Sequence, residues 1–241
     1  MASLPAPSPD ALPSGTPGWP SGPDSANLQD ILDYIYGCKG CVDAVSDQES
    51  TSEWKPTTNP GNINPQLTIE LAGNAATTTF GLWSGTDPSN LILVPIFKGS
   101  AEGLTGSSGF PSTASLQWNL AGTQLKITGD SSEVFTGIYN VPVSGFGFYI
   151  DTGTNKFFSD DELNSGGSPQ MMAYLGGNSA TSAGAWTLAF EDLPFSSSDK
   201  DFNDFVVKIE SLAAVPEPAS ILLLGSVLVA VAGLIRFRMQ H

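Results

Sequence analysis

The sequence predicts an all-β fold: an antiparallel β-sandwich or jelly-roll-like domain over residues 65–214, with a short N-terminal helix before it and a C-terminal transmembrane helix after it. Three observations carry this. From Leu67 the apolar period becomes two, with Leu67, Ile69 and Leu71 alternating against Thr68 and Glu70, as a half-buried strand requires. Short apolar runs then recur between turn clusters such as Ala72-Gly73-Asn74, Gly85-Thr86-Asp87-Pro88 and Gly176-Gly177-Asn178, with no amphipathic helix among them. Many short strands with frequent turns indicate a sandwich. Near the end stands an uncharged run from Ala219 to Ile235.

Taken in order, residues 1–24 are Pro/Ser/Gly-rich and read as an unstructured head. Residues 25–64 form a second segment. Ser25 or Asn27 can cap a helix from about Leu28 to Tyr36, which places Leu28, Ile31, Leu32 and Ile35 on one face and stops at Gly37. Cys38-Lys39-Gly40-Cys41 follows. A redox pair would open a helix after a strand; here the pair follows a helix, so a small disulfide ring outside the sandwich is expected. Half a zinc site fails for want of ligands, since there is no further Cys and the single histidine is His241. Residues 42–64 are polar, hold Pro56, Pro60 and Gly61, and read as a linker. Strands are expected at 67–71, 77–83, 91–97, 115–119, 124–128, 134–139, 145–150, 171–174, 185–190 and 205–211.

The tail, 215–241, reads Val215-Pro216-Glu217-Pro218, then the apolar run, then Arg236-Phe237-Arg238, which holds the only arginines of the chain. A run of about 17 residues at ~1.5 Å rise spans roughly 26 Å, close to the hydrocarbon thickness of a bilayer. Leu222, Leu224, Val227, Val229, Val231 and Leu234 leave no polar face, which excludes a one-sided surface helix. Gly225, Ser226 and Gly233 are tolerated in membrane helices. Basic residues past the run favour a cytoplasmic C-terminus, with everything before Val215 outside. This ordered set of motif, single span and basic end resembles the PEP-CTERM sorting signal of Gram-negative bacteria that make exopolysaccharide. The resemblance implies export, recognition and cleavage around Pro216, Glu217 and Pro218 by an exosortase-type membrane transpeptidase, and a mature protein without the span. The basic end is sparser than the arginine cluster usual in that signal. Residues 1–23 carry seven prolines, no Lys or Arg and no apolar run. An export signal is therefore expected upstream of Met1, the alternatives being a shortened chain or another export route.

Formal net charge is −15, and in the tail Glu217 is outweighed by two arginines, so the acidity belongs to the exterior part. Such a surface repels nucleic acid and anionic lipid; it suits cations or neutral sugars. Disorder does not follow, because a chain 40% hydrophobic and only 14% charged can build a packed core. An enzyme is not expected. The sole histidine at position 241 leaves no Ser-His or Cys-His pair, and neither Gly-x-Ser-x-Gly nor a phosphate-binding glycine loop occurs. Carboxylate-only glycoside hydrolysis is the remaining chemistry. Trp83, Trp118 and Trp186 lie in apolar runs and are expected in the core. Trp54, in a polar stretch, is the candidate for an exposed sugar platform.

The densest polar cluster is Glu191-Asp192, then Asp199-Lys200-Asp201-Phe202-Asn203-Asp204, between two apolar strands. Five carboxylates this close repel one another. Lys200 is the single cation among them, so at neutral pH they should be ionised and in want of a partner. Ca²⁺ takes oxygens from carboxylates, amides and carbonyls, and Asp199-x-Asp201-x-Asn203 matches the first half of a calcium loop. An EF-hand is excluded: the sixth position is Asp204 rather than Gly, and a strand would carry Glu210, in twelfth place, roughly 20 Å away. The expected calcium ligands are Glu191, Asp192, Asp199, Asp201, Asn203 and Asp204. The other reading is a long hairpin turn shaped by Asp and Asn side chains.

Phe190-Glu191-Asp192-Leu193 followed by Asp199-x-Asp201-Phe202-Asn203-Asp204-Phe205-Val206-Val207 resembles the bacterial extracellular domain of unknown function 4114, which often stands before a PEP-CTERM tail. The segment from Leu67, Phe146-Gly147-Phe148-Tyr149-Ile150-Asp151 and Met172-Ala173-Tyr174 fit the same family, over about Leu67 to Ser211. The resemblance implies a β-rich surface domain suspected of calcium binding, and no activity. Asp151-Thr152-Gly153 matches an aspartic-protease motif, but in a single copy where two Asp are required. It reads as turn chemistry, with Asp151 a further candidate ligand.

The expected protein is thus exported, anchored through 219–235 before processing, and then placed at the cell surface or in the extracellular matrix of a Gram-negative bacterium. Its expected role is structural or interactive, with a carbohydrate-binding module as the alternative and a carboxylate hydrolase third. Expected partners are an exosortase-type enzyme, the membrane and polysaccharide, not nucleic acid. Ca²⁺ is the one cofactor expected.

Overall fold

The computed structural model describes residues 27–58, 62–70, 77–99, 112–176 and 184–215, and at 34, 62 and 64–70 the backbone alone. The head 1–24, the Pro216-Glu217-Pro218 motif, the 219–235 run and the turns at 72–74 and 177–178 lie outside the described residues. Among the described residues no helix is long and apolar enough to cross a membrane.

The chain begins with α1 (Leu28–Tyr36), then β1 (Gln48–Glu49), β2 (Trp54–Pro56), β3 (Asn62–Glu70), β4 (Thr79–Ser84), β5 (Ile92–Lys98), β6 (Ala114–Trp118) and β7 (Gln124–Gly129). It continues with β8 (Gly137–Asn140), β9 (Gly147–Asp151), β10 (Lys156–Phe158), two short 3-10 turns, β11 (Met171–Leu175), β12 (Trp186–Phe190), β13 (Phe205–Glu210) and β14 (Leu212–Ala214). Among these residues one sheet runs β1-β11-β12-β13-β3-β6-β7-β8, a second runs β10-β9-β4-β5, and β14 pairs with β2. Neighbouring strands are antiparallel throughout.

Strand alternation sends one side-chain set of each sheet into a shared core. The small sheet supplies Phe80, Leu82, Val94, Ile96, Phe148 and Ile150; the large sheet supplies Leu116, Trp118, Leu188, Phe190, Phe205 and Val207. Phe80 joins the two sheets, with ring centroids 5.4 Å from Phe148 in its own sheet and 5.9 Å from Phe205 in the other. Burial of rings this large is the main driving force for the sandwich.

The large sheet is covered on its other face as well. Leu28, Ile31, Leu32 and Tyr36 of α1 pack with Met172, Tyr174, Ala189, Val206 and Phe202 in a second core. Asn27 caps the helix by accepting the Asp30 N–H at 2.8 Å. Gly37, with φ 67, ends it in the left-handed conformation that favours glycine. Two buried hydroxyls tie this layer to the sheet: Tyr36 Oη at the end of α1 lies 2.8 Å from Thr187 Oγ1 on β12, and Tyr174 Oη on β11 donates at 2.8 Å to the carbonyl of Ala44 in the segment after α1. Cys38 and Cys41 form a disulfide, and Cys38 packs against this outer core. The ring is held to α1 because Asp33 Oδ1 accepts the Gly40 N–H at 2.7 Å.

Two expectations need correcting. Residues 42–64 are not a bare linker, since they hold β1, β2 and the start of β3. Strands of two and three residues show no periodicity of their own and exist only through their partners, β11 and β14. Trp54 is not exposed: it is 0% accessible, bridged to Phe146, with its ring 5.7 Å from that of Trp186. Polar neighbours in sequence hid a residue whose strand position aims it into the inner core.

Candidate functional site

β12 ends at Phe190 and β13 begins at Phe205, directly opposite each other, so the loop 191–204 closes one end of the large sheet. Phe190 and Phe205 face the inner core, while Ala189 and Val206 face α1. One residue beyond each strand end, Glu191 and Asp204 therefore fall on the α1 side. The Glu191 N–H donates to the Gln170 carbonyl at 3.1 Å. This extends the β11–β12 register, in which Met171 faces Phe190, by one pair.

Past Asp192 the chain turns at Pro194, whose carbonyl accepts the N–H groups of Ser197 (2.7 Å) and Ser198 (3.0 Å). It returns through Lys200 and Phe202, both left-handed, with φ of 67 and 54. Such backbone costs about 1–2 kcal/mol per residue carrying a Cβ. Two contacts hold it in place. The Phe202 ring is fully buried in the α1 core, and its N–H donates to Glu191 Oε1 at 2.7 Å. Lys200 turns away, with Nζ 4.5 Å from the Phe195 ring centroid, a cation–π position.

The loop thereby gathers Glu191, Asp199 and Asp201, whose carboxylate oxygens lie within 4.8 Å of one another. Two oxygens on one Ca²⁺ at ~2.4 Å can be at most about 5 Å apart, so this cluster could hold a metal ion. Glu191 is 0% exposed and Asp201 8%, while Asp199 opens to solvent. Glu191 Oε2 is buried and accepts no hydrogen bond, a deficit of about 1–3 kcal/mol or more for a charged group. Burial pushes the Glu191 pKa up to about 7, opposed by the Phe202 N–H and reinforced by Asp201 and Asp199. The Ser198 hydroxyl lies near enough to lower it too, by more than Asp201 or Asp199 raises it, though its geometry falls short of a hydrogen bond.

The other expected ligands stand one step back. Asp204 Oδ2 accepts the Asp192 N–H at 3.0 Å, and Asn203 donates through its backbone and side-chain nitrogens to Asp201. Asp204 is raised to about 8, first by burial and then by Asp192, Glu191 and Asp201, against the Asp192 hydrogen bond. The expectation of five ionised carboxylates at neutral pH therefore needs correcting. Without a cation, Glu191 and Asp204 are partly protonated there, because burial removes the water that would stabilise their charge.

Asp151 does not join the cluster. Its carboxylate pairs with Lys156 at 2.7 Å and accepts the Gly153 N–H, turning the β9–β10 hairpin. Glu210 lies at the end of β13 and pairs with Lys208 at 3.4 Å, far from an EF-hand role. Sequence reasoning missed Gln170. Its Nε2 donates to the Leu193 carbonyl at 3.0 Å, and its Oε1 is buried without a partner. No motif marks it, and only the strand register brings it beside Glu191.

The fold and the loop together define a mostly β protein whose two antiparallel sheets share one core, with an acidic cluster that could hold a metal ion. The family model of Domain of unknown function (DUF4114) matches residues 127–212, from within β7 to the first residue of β14 and including the whole acidic loop. The match starts later than Leu67, where the sequence resemblance begins. No curated protein and no solved structure matches the chain.

Proposed function

We propose that this is an exported cell-envelope or exopolysaccharide-matrix protein of structural or interaction type, whose 191–204 loop binds Ca²⁺. One observation carries the calcium reading: a fully buried Glu191 oxygen with no partner, beside two further carboxylates at one-ion spacing. Glu191, Asp199 and Asp201 would hold the ion, and Asp192, Asn203 and Asp204 would orient them. A bound dication supplies the charge that Lys200 does not, and fixes the loop that carries Phe202 under α1.

The export reading is supported by the tail: Pro216-Glu217-Pro218, the apolar run 219–235 and the basic end. An exosortase-type enzyme would act at the motif after membrane insertion. Net charge of −15 keeps such a domain soluble beside neutral polysaccharide. A sugar-binding role gains no support among the described residues, where Trp54, Trp83, Trp118 and Trp186 are all buried and no aromatic stands among the exposed large side chains.

Thermal melts of the full chain in EDTA and in millimolar Ca²⁺ test the calcium reading. A cation bound by the folded state alone adds RT ln(1 + [L]/Kd), about 2.7 kcal/mol at a hundredfold excess over Kd. Asp201→Asn should remove most of that gain. Equal melting of the wild type in both buffers would overturn the reading. For sorting, deleting 219–241 should move the protein from the envelope fraction to the medium or periplasm. Identical fractionation of both chains, in a host that has the processing enzyme, would overturn that part.

A further inference from the structure

We infer that the cation site has a fourth protein ligand, the side-chain oxygen of Gln170, which no motif in the acidic loop contains. The inference rests on the calcium reading above and deepens it. Gln170, Glu191 and Asp204 form one row across β11, β12 and β13. Met171 faces Phe190 and Phe190 faces Phe205, so the pairs one step further are 170 with 191 and 191 with 204. The Glu191 N–H bond to the Gln170 carbonyl makes the first of these directly.

Alternation places the row on the α1 face. Met171, Phe190 and Phe205 belong to the inner core, and Met172, Ala189 and Val206 to the outer one. Side chains of directly opposed residues on one face start ~5 Å apart at Cβ, within reach of a shared ion for Gln and Glu.

Both members of the 170–191 pair carry an orphan oxygen. Gln170 is 2% exposed and Glu191 0%, and neither Gln170 Oε1 nor Glu191 Oε2 has a hydrogen-bond partner. Buried polar atoms without partners are rare in folded proteins. Two acceptors in neighbouring positions of one sheet face are rarer, and with Glu191 ionised they cannot satisfy each other. A single cation satisfies both. The amide is also held in orientation: Gln170 Nε2 donates to the Leu193 carbonyl, inside the loop itself, which fixes the opposite oxygen. Ca²⁺ accepts amide oxygens alongside carboxylates. A neutral fourth ligand adds an oxygen toward the six to eight that Ca²⁺ takes without adding a charge to a site where three carboxylates already repel.

Calcium titrations by calorimetry on full-length wild type, Gln170→Leu and Gln170→Glu test this, with melting in EDTA reporting the stability of each. Both variants lose the Nε2 bond to Leu193; only Gln170→Leu loses the oxygen. Gln170→Leu should weaken Ca²⁺ binding about tenfold or more, since even groups behind the direct ligands cost 10–100-fold, while Gln170→Glu should bind as tightly as wild type or more tightly. Equal weakening in both variants would mean that Gln170 acts only by holding Leu193, and would overturn the assignment. Unchanged binding in Gln170→Leu would overturn it too, leaving the calcium reading intact. A wild type that takes up no Ca²⁺ would overturn the calcium reading itself and this assignment with it.

Discussion

A carboxyl group that is withdrawn from water, accepts one backbone hydrogen bond and faces further carboxyls holds its proton well past its ordinary range; Glu191, fully buried, and Asp204 beside it, partly buried, are so placed. Their folded-state values, about 7 and about 8, stand above the ordinary 4.5 and 3.8. The unfolded chain gives up these protons at lower pH than the folded one, so the folded state binds more protons between about pH 4 and 8. Stability must then fall as pH rises through that window. Burial raises Asp30, Glu53 and Asp161 as well, with the same sign. In EDTA the melting temperature should therefore be higher at pH 5.5 than at pH 8.5, and Glu191→Gln should flatten the slope and raise stability at the higher pH. Millimolar Ca²⁺ should narrow the gap for wild type and have a smaller effect on Glu191→Gln, which keeps an amide oxygen but loses a charge. A wild type whose metal-free melting temperature rises from pH 5.5 to 8.5 would contradict the assignment. The Asp-x-Asp-x-Asn spacing was legible in the sequence at this scale. The burial of Glu191 was not, since it depends on Phe202 folding under a helix more than 160 residues earlier in the chain.

Among the elements, the long strands could be read because each is an apolar run between turn residues; β7 alternates, whereas β12, covered on both faces, is buried throughout. β4, β5, β7, β12 and β13 all lie within a residue or two of the expected runs. The pairs that could not be read, β1 with β11 and β2 with β14, are defined by their partners. The apolar face of α1 was equally plain, but its destination was not: periodicity says that a face is buried and not against what. Two substitutions probe these packings. Tyr36→Phe removes the bond to Thr187 Oγ1, which is itself buried, and should cost about 1–3 kcal/mol in a denaturant melt; an unchanged midpoint would mean that α1 is not fixed on β12. Gly81 sits where the β4–β5 register shifts. A Cβ there would meet the Tyr149 ring and the Val94 carbonyl oxygen, and because one contact is backbone, the neighbour cannot simply rotate away. Gly81→Ala should thus destabilise by about 1–3 kcal/mol. A neutral outcome would show that the small sheet can flex at its bulge.

At the scale of the molecule, the folding unit and the family match have different extents, and this difference can be measured. The match covers 127–212, which includes the acidic loop and the β11-β12-β13 meander. Its strands nevertheless lean on partners outside it. β13 pairs with β3, β9 with β4, β7 with β6, and β14 with β2. The inner core would lose Phe80, which touches Phe148, Phe190 and Phe205, and Trp54, which touches Trp186. The outer core would lose α1 entirely. A fragment of 86 residues so stripped exposes both faces of a three-strand sheet and cannot offset its conformational entropy, which runs at about 1–2 kcal/mol per residue before side chains are counted. Residues 127–212 alone should show no cooperative melt, and Trp186, the single tryptophan of that stretch, should emit as a solvent-exposed indole. Residues 27–215, which contain every strand pair described above, should melt in one transition with all four of their tryptophans buried. A cooperative melt of 127–212 with a blue-shifted Trp186 would show instead that β7 to β14 fold first and that α1 and the strands before Ile127 are added to a finished unit. The acidic loop distinguishes the two cases independently. It hangs from β12 and β13, and β13 has β3 as its other neighbour, so only the unit that keeps β3 should retain the Ca²⁺-dependent rise in melting temperature.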